Sequence, residues 1–346
     1  MINLRYHIVS ITAVFLALGI GLAFGAAFID RATVDALNNN LTEIEQRNEQ
    51  LEQTNSELST EVAQATSIDR DLRSQGLPQL VDGRLDQVPV LTIASEGIDG
   101  SVIEQTEAAL IDAGAEMAAV LRVTDRFVLD DDSEVDDLRT ILGLPTADPD
   151  RLRTATVRQL RALLAAAAQP PADDDTSASV IDPNPVPVPG LIQALADDGF
   201  LEIDPTEAPP TSFALIPESG LRLVVVSGPD GIVAEEAIVL PLVQELVTPS
   251  PTQPDAPVPL VVAVQPEVPP PADDEVDPPP EFVAVLRDDE ATTGRLSTVD
   301  HLDSFPGLLA TVLATQHGGE GQLGHYGIDD GAEALVPPVP DVGAED

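Results

Sequence analysis

The sequence opens on an uncharged, largely apolar run from residue 8 to residue 29. An α-helix rises about 1.5 Å per residue, so about 20 residues cross a hydrocarbon layer about 30 Å thick. The run is therefore predicted to span a bilayer as one helix. Arg5 precedes the run and Asp30 follows it, a distribution that favours a cytoplasmic amino terminus and an extracytoplasmic remainder.

A cleavable signal peptide is the competing interpretation of this run. Ala23 and Gly25 form the small-x-small pattern that precedes a cleavage site. A signal-peptide core usually has about 7 to 15 residues and follows a basic stretch, whereas this run is longer and its polar start is barely basic. We therefore expect an anchor that is retained, with residues 1–30 forming the cytoplasmic start and the transmembrane helix.

Small residues recur at every fourth position inside the predicted span. They are Ala13, Ala17, Gly21 and Gly25. Two helices can approach closely along such a face, because small side chains keep the backbones near each other. The pattern predicts packing between two membrane helices.

A heptad pattern follows the span almost directly. Its a positions are Val34, Leu41, Asn48, Asn55 and Val62, and its d positions are Leu37, Ile44, Leu51, Leu58 and Ala65. The pattern predicts a coiled coil over residues 31–75, and asparagine at a positions favours a two-stranded parallel seam in fixed register. Arg47 at a g position would face Glu52 of a second chain. We predict a parallel homodimer or a higher oligomer; a single amphipathic helix packed on its own domain is the alternative.

The chain carries 60 acidic and 16 basic residues, a formal net charge of −44, and every basic residue is arginine. Nucleic acid is not an expected partner, because phosphate backbones bind clustered cations. Such acidity is typical of a solvated surface in a salty medium. The absence of cysteine excludes disulfides, thiolate zinc sites, iron–sulfur clusters and cysteine nucleophiles.

Beyond Pro78, strand and helix patterns alternate. The sequence predicts strands at 88–94, 116–123, 221–227, 260–264 and 282–286. It predicts helices at 101–114, 133–142, 150–168, 234–247 and 306–315, with Ser133 as a helix N-cap. Such alternation requires a largely parallel sheet with helices on its faces. The predicted fold class is therefore α/β, in an extracytoplasmic domain at 76–335.

Prolines and acidic residues crowd together in four stretches and in the tail. These segments are 169–190, 205–210, 248–259, 266–281 and 336–346. Segments of this composition cannot bury a core, so they are predicted to be disordered surface loops or short polyproline pieces.

The sequence contains no nucleotide-binding or hydrolase motif. The turn at 95–101 (SEGIDGS) lacks both the three-glycine dinucleotide pattern and a phosphate-binding loop. The serine of SGPDG at 227–231 lacks the flanking glycines of a nucleophile elbow. We expect no nucleotide ligand and no enzymatic activity.

Three of the four histidines lie late in the chain. His301 with its neighbour Asp300, His317 and His325 offer the nitrogen and oxygen donors that suit Cu(II), Zn(II) or Ni(II). Their spacing matches no regular metal loop, so buried structural histidines are the alternative. Cu(I) prefers sulfur, and the chain has only two methionines. The glycines of HGGEGQLGHYG (317–327) predict a loop with a specific backbone shape.

Both ends of the chain resemble the actinobacterial copper transport proteins of the MctB type. The matching stretches are LRYHIVSITAVFLALGIGLAFG (4–25), LRVTDRF (121–127), and LSTVDHLDS, LLATVLAT and GHYG between 296 and 327. The order of span, coiled coil and α/β domain agrees with that family. The resemblance implies a membrane-anchored, non-enzymatic cell-envelope protein of copper homeostasis, located in the outer membrane in some relatives, with copper as its ligand.

A scaffold or assembly factor of the envelope or division machinery is the alternative function. Such bitopic proteins share the layout of a short cytoplasmic start, one span and a coiled coil. Normal copper tolerance of a deletion strain, with filamentation or septal localisation, would distinguish this function from copper handling.

Overall fold

The computed structural model describes residues 4–169, 190–204, 216–217, 219–228, 235–249, 258–267 and 281–338, without the side chains of residues 4, 26–36 and 38. The predicted Pro- and Asp-rich loops and the tail lie almost entirely outside the described residues. The chain divides into two compact units, Met1–Ile68 and Asp69–Asp346. The finer division predicted at residues 30, 75 and 335 stays a prediction.

The first unit is helical. Helix α1 runs from Leu4 to Asp71, and its part up to Ile68 makes up the unit. Arg5–Gly25 has a mean hydropathy of 2.3 and none of it is buried. Among the described helices it is the one long and apolar enough to cross a membrane. Arg47 forms an ion pair with Glu43 one turn earlier, at 2.6 Å, on the exposed surface.

The second unit alternates helices and strands. Its helices are α2 (Leu77–Val81), α3 (Gly100–Asp112), α4 (Asp132–Leu142), α5 (Pro149–Ala167), α6 (Leu191–Asp197), α7 (Leu240–Val247), α8 (Phe282–Asp288) and α9 (Phe305–Gly318). Its strands are β1 (Pro89–Ser95), β2 (Glu116–Val123), β3 (Leu201–Asp204), β4 (Arg222–Val226), β5 (Leu260–Val264), β6 (Ser297–Val299) and β7 (His325–Tyr326). The described part of this unit also contains two π-helical turns, Leu72–Gly76 and Glu235–Val239, and a 3₁₀ turn, Asp125–Val128.

The described strands form one sheet in the order β3-β2-β1-β4-β5-β6-β7. Neighbouring strands are parallel, except that β3 runs antiparallel to β2. The predicted α/β class with a mostly parallel sheet is confirmed. The strand order reverses between β1 and β4, so their carboxyl ends flank a topological switch point, where open α/β sheets form a crevice.

Helices cover both faces of the sheet because its central strands are apolar on both sides. Leu91 and Ile93 of β1 contribute to a core shared with α4 to α8, whereas Val90 and Ala94 contribute to a core shared with α2, α3 and α9. Side chains alternate between the two faces of a strand, which gives β1 a part in both cores. Three layers result, with the sheet in the middle.

The predicted strand at 282–286 is wrong, because Phe282–Asp288 is helix α8. A short apolar run such as FVAVL suits a buried strand and a buried helix equally well by periodicity. Phe282, Val283 and Leu286 are all buried, at a spacing that lies on one helical face. The parallel pairing of β5 with β6 requires a crossover between them, and α8 lies on that path.

The first turn of α4 corrects a second prediction. Asp131, not Ser133, is the N-cap, and it forms a capping box with Glu134. The Glu134 carboxylate accepts a hydrogen bond from the Asp131 backbone N–H at 3.4 Å. Two acids at the start of a helix also interact favourably with its dipole, which explains why the helix begins earlier than predicted.

The predicted helix at 234–247 is a π-helical turn followed by α7, and residue 234 lies outside the described residues. Pro241 explains the change of register, because it has no N–H to donate to the preceding turn. Strands β3, β6 and β7 were not predicted. Strands β6 and β7 have three and two residues, fewer than a strand pattern needs to be recognised, and β3 has four, the shortest recognisable run.

Candidate functional site

Polar side chains gather where β6 and β7 end. Asp300 and His301 follow β6 directly, and Asp329 lies in the loop after β7. Because parallel neighbours end at the same edge of a sheet, pairing of β6 with β7 brings the two segments together. One donor atom from each of the three residues lies within 4.8 Å of the other two. We call Asp300, His301 and Asp329 the carboxyl-edge cluster.

Asp300 is fully buried and its carboxylate accepts four hydrogen bonds. Arg287 Nη2 donates at 2.9 Å, and His301 Nδ1 lies at 2.9 Å. The backbone N–H groups of Ile328 and Asp329 donate at 2.8 and 3.3 Å. A buried carboxylate needs a cation and several donors to stay charged, and this one has both.

Arg287 holds the surrounding backbone through the rest of its guanidinium group. Only 4% of its side chain is exposed. Its Nε donates to Thr298 Oγ1 at 2.9 Å, its Nη2 to the carbonyl of Tyr326 at 2.8 Å, and its Nη1 to the carbonyl of Asp330 at 3.2 Å. Helix α8 is thereby tied to β6, to β7 and to the loop that carries Asp329.

The loop after β7 depends on Gly327. This residue has φ +128°, and a Cβ added to it would overlap the carboxylate of Asp300. Glycine is the residue that adopts this backbone without a steric penalty. The expectation that the Gly-rich segment forms a specific backbone shape is confirmed at this position.

His301 sits in a left-handed conformation, φ +52°, which is uncommon for a residue with a side chain. Its carbonyl accepts hydrogen bonds from Ser304 N at 3.0 Å and from Ser304 Oγ at 2.7 Å. Ser304 is also the N-cap of α9 and accepts a hydrogen bond from Gly307 N. The start of α9 therefore fixes the backbone of His301, while 20% of its side chain stays exposed.

Asp329 completes the cluster at 3.5 Å from His301 Nδ1. Burial raises the pKa of Asp329, the negative charge of Asp300 raises it further, and His301 opposes the shift. Two carboxylates that repel each other are stabilised by a cation placed between them. Arg287 already compensates the charge of Asp300, so the attraction for a further cation comes from Asp329.

The other two predicted histidines are not part of this cluster. His325 lies in β7 with its Nδ1 2.9 Å from Thr298 Oγ1, and burial lowers its pKa. His317 lies in α9 and is fully buried; neither ring nitrogen has a hydrogen-bond partner within the described residues. The placement of both agrees with the structural role that the sequence left open.

A comparison with known proteins decides the family. The family described as "Copper transport outer membrane protein, MctB" matches residues 1–337. This chain belongs to the MctB family. The "Copper transporter MctB" of Mycobacterium bovis and that of Mycobacterium tuberculosis H37Rv are each 25% identical over 350 residues, covering 97% of this chain and 99% of the relative. The resemblance drawn from the sequence is confirmed, and the family description and the apolar helix together support a membrane protein.

The MctB match includes all three residues of the carboxyl-edge cluster. One imidazole and two carboxylates suit Cu(II) or Zn(II), and no sulfur donor is among them. Asp300 already accepts four hydrogen bonds, one of them from Arg287, so it is poorly placed to bind a metal directly. His301 and Asp329 are the two side chains with donor capacity left for a metal ion.

Proposed function

We propose that this MctB-family protein handles copper in the cell envelope as a non-enzymatic, membrane-anchored protein. The observation that carries the proposal is the family match over residues 1–337. The carboxyl-edge cluster supplies a donor set compatible with Cu(II), with His301 and Asp329 as ligands and water completing the coordination. Asp300 supports the cluster by orienting the imidazole of His301.

The anchor proposed for this role is the apolar stretch Arg5–Gly25. The amino terminus would lie in the cytoplasm and the second unit outside the cytoplasmic membrane. Arg5 on the short leading side supports this orientation. A carboxyl-terminal reporter that is active only in the cytosol would contradict it.

Copper tolerance tests the proposed function. We expect a strain without this gene to be more sensitive to copper, and the wild-type gene to restore growth. The double variant His301→Gln/Asp329→Asn should restore less, because losing both ligands weakens Cu(II) binding by at least about ten-fold.

The matched control is Asp330→Asn, which removes one charge from an exposed neighbour of Asp329 outside the cluster. It should restore tolerance fully. If the deletion strain shows normal copper tolerance, copper handling is not the function. If the deletion strain is sensitive to copper but the double variant restores tolerance as fully as the wild-type gene, the cluster is not the copper site.

A scaffold function is the second candidate, and the exposed heptad seam favours it. The seam residues Leu37, Leu41, Ile44, Leu51, Leu58 and Val62 are between 48% and 66% exposed. We propose that a second chain covers them in a parallel homodimer, with Ala13, Ala17, Gly21 and Gly25 packing in the membrane. Val34 belongs to the predicted seam, but its side chain lies outside the described part.

Asparagine replacement tests the seam. The double variant Asn48→Leu/Asn55→Leu should melt at a higher temperature and populate trimers or tetramers, because it buries leucine where asparagine selects two strands. Sedimentation of the detergent-solubilised full chain measures this distribution. Asn39→Leu, at an outward f position, is the control. An oligomer distribution that stays unchanged in the double variant would argue against the seam.

A further inference from the structure

Three buried polar residues form a hydrogen-bonded chain at the switch point of the sheet. Ser95 ends β1, Ser227 follows β4, and Glu235 begins the π-helical turn before α7. The two serine Oγ atoms are 2.7 Å apart, and Ser227 Oγ also hydrogen-bonds Glu235 Oε2. Both serines are fully buried and Glu235 is 6% exposed. The function proposed above uses none of them.

No cation among the described residues neutralises Glu235. The charged groups on its own turn and on the elements packed against it are Glu236, Asp125 and Arg126 of the 3₁₀ turn, Asp150, Arg151, Arg153, Arg158 and Arg161 of α5, and Glu245 of α7. Arg153 bonds to Asp150 and to the carbonyl of Val128, and Arg161 bonds to the carbonyls of Glu245 and Thr248. The only one of these charges that acts on Glu235 appreciably is Glu236, which repels it.

An ionised carboxylate is costly in this position. Burial removes the hydration of the carboxylate, and one hydrogen bond from the Ser227 hydroxyl replaces it. Burial raises the pKa of Glu235 to about 7; the hydrogen bond from Ser227 opposes the shift and Glu236 adds to it. The group therefore changes charge near neutral pH, while an ordinary glutamic acid is already ionised there.

The hydrogen-bonded chain can run in two directions. When Glu235 is neutral, its O–H donates to Ser227 Oγ, whose own proton is directed to Ser95. When Glu235 is ionised, Ser227 donates to the carboxylate and Ser95 donates to Ser227. Only the second arrangement leaves a buried negative charge. The ionised carboxylate of Glu235 is therefore stabilised when it moves into solvent and regains its hydration.

We propose that Glu235 is a proton-operated latch between the carboxyl ends of β1 and β4. In its neutral form it holds the π-helical turn Glu235–Val239 against the sheet, and in its ionised form it releases that turn. Glu236 and Ala237 of the same turn line a groove of about 690 Å³ together with α5 and α7. Release of the turn therefore opens one wall of this groove. The latch is independent of copper binding at the carboxyl-edge cluster.

The latch stabilises the folded chain under acid conditions. Because folding raises the pKa of Glu235, its contribution to stability is complete below pH 4.5 and is lost as the pH rises through about 7. This direction is opposite to that of a carboxylate in an ion pair, which loses stability as the pH falls.

Hydrogen exchange of the full-length protein in detergent tests the proposal. Protection of the amides in Glu235–Val239, corrected for the intrinsic pH dependence of exchange, should fall as the pH rises, with a midpoint near 7. Glu235→Gln is permanently neutral and should stay protected throughout. An infrared band of a protonated carboxyl group should disappear over the same interval in wild type and be missing in this variant.

Two further variants test the hydrogen-bond partner of Glu235 and its neighbouring charge separately. Ser227→Ala removes the hydroxyl that holds neutral Glu235, so the protection of the turn should be low at every pH. Glu236→Gln removes the like charge and should lower the midpoint, even if Glu235→Gln does not fold. Glu245→Gln is the control. It replaces a nearby acid that is not part of the hydrogen-bonded chain, and it should leave the midpoint unchanged. A midpoint near 4.5, or the same profile in Glu235→Gln and Glu236→Gln as in wild type, would overturn the latch.

Discussion

Replacement of Arg287 by leucine is expected to lower the free energy of unfolding by about 3–5 kcal/mol. The change leaves the carboxylate of Asp300, which has no solvent-exposed surface, without its cation. The carbonyls of Tyr326 and Asp330 lose a donor at the same time. Urea denaturation of the full-length protein, followed by circular dichroism, measures the loss.

Two comparisons isolate the buried ion pair from a general effect of losing arginine. Arg287→Lys keeps the charge but not the planar fork, so an intermediate loss is expected. Arg295→Leu removes an exposed arginine nearby and should change stability by no more than about 0.5 kcal/mol. A loss below about 1 kcal/mol in Arg287→Leu would mean that Asp300 does not depend on this cation.

Removing both charges should recover only part of the stability. In Arg287→Leu/Asp300→Leu no buried charge remains, which relieves the largest cost. The backbone N–H groups of Ile328 and Asp329 still lose their acceptor. Each such unsatisfied donor costs about 1–3 kcal/mol, so the double variant is expected to stay below wild type.

Replacement of Gly327 by alanine should be comparably severe, with a loss of about 3–5 kcal/mol. The added Cβ would overlap the Asp300 carboxylate, and the backbone at φ +128° is strained for any other residue. The loop must move, which separates Asp329 from His301. Cu(II) binding, measured by calorimetry, should therefore weaken together with thermal stability.

Gly100→Ala is the matched control for this change. Gly100 begins α3, and the nearest heavy atom to an added Cβ lies 4.0 Å away. Alanine suits a helix better than glycine, so this variant should gain about 0.4–1 kcal/mol. Equal effects of the two alanine substitutions would show that the crowding at Gly327 is not what constrains the loop.

The long elements could be predicted because local patterns identify them. The strands RLVVV (β4) and LVVAV (β5) are rich in β-branched residues, and their predicted positions agree with the observed ones within one residue. The helix predicted at 150–168 is observed as Pro149–Ala167, since an aspartate N-cap and proline at the first position mark its start. The apolar run near the amino terminus is likewise visible in any window of the sequence.

The candidate site was predictable only where its residues are neighbours in the chain. Asp300 and His301 were identified together for that reason. Asp329 and Arg287 were not, because their contacts with Asp300 arise from the pairing of β6 with β7 and from the packing of α8. Those strands have three and two residues, and α8 was predicted as a strand, so no local pattern indicated the contacts.

The amino-acid pattern was sufficient for the apolar membrane-length helix, the α/β class and the family, because each depends on periodicity or on motifs within one segment. Folding decided which of three histidines joins a cluster, which carboxylate lies buried beside an arginine, and where Glu235 meets two serines. The contacts of Ser227 with Glu235 and with Ser95, for example, join residues 8 and 132 positions apart. They exist because the sheet order brings separate strand ends to one edge, and no single segment encodes that order.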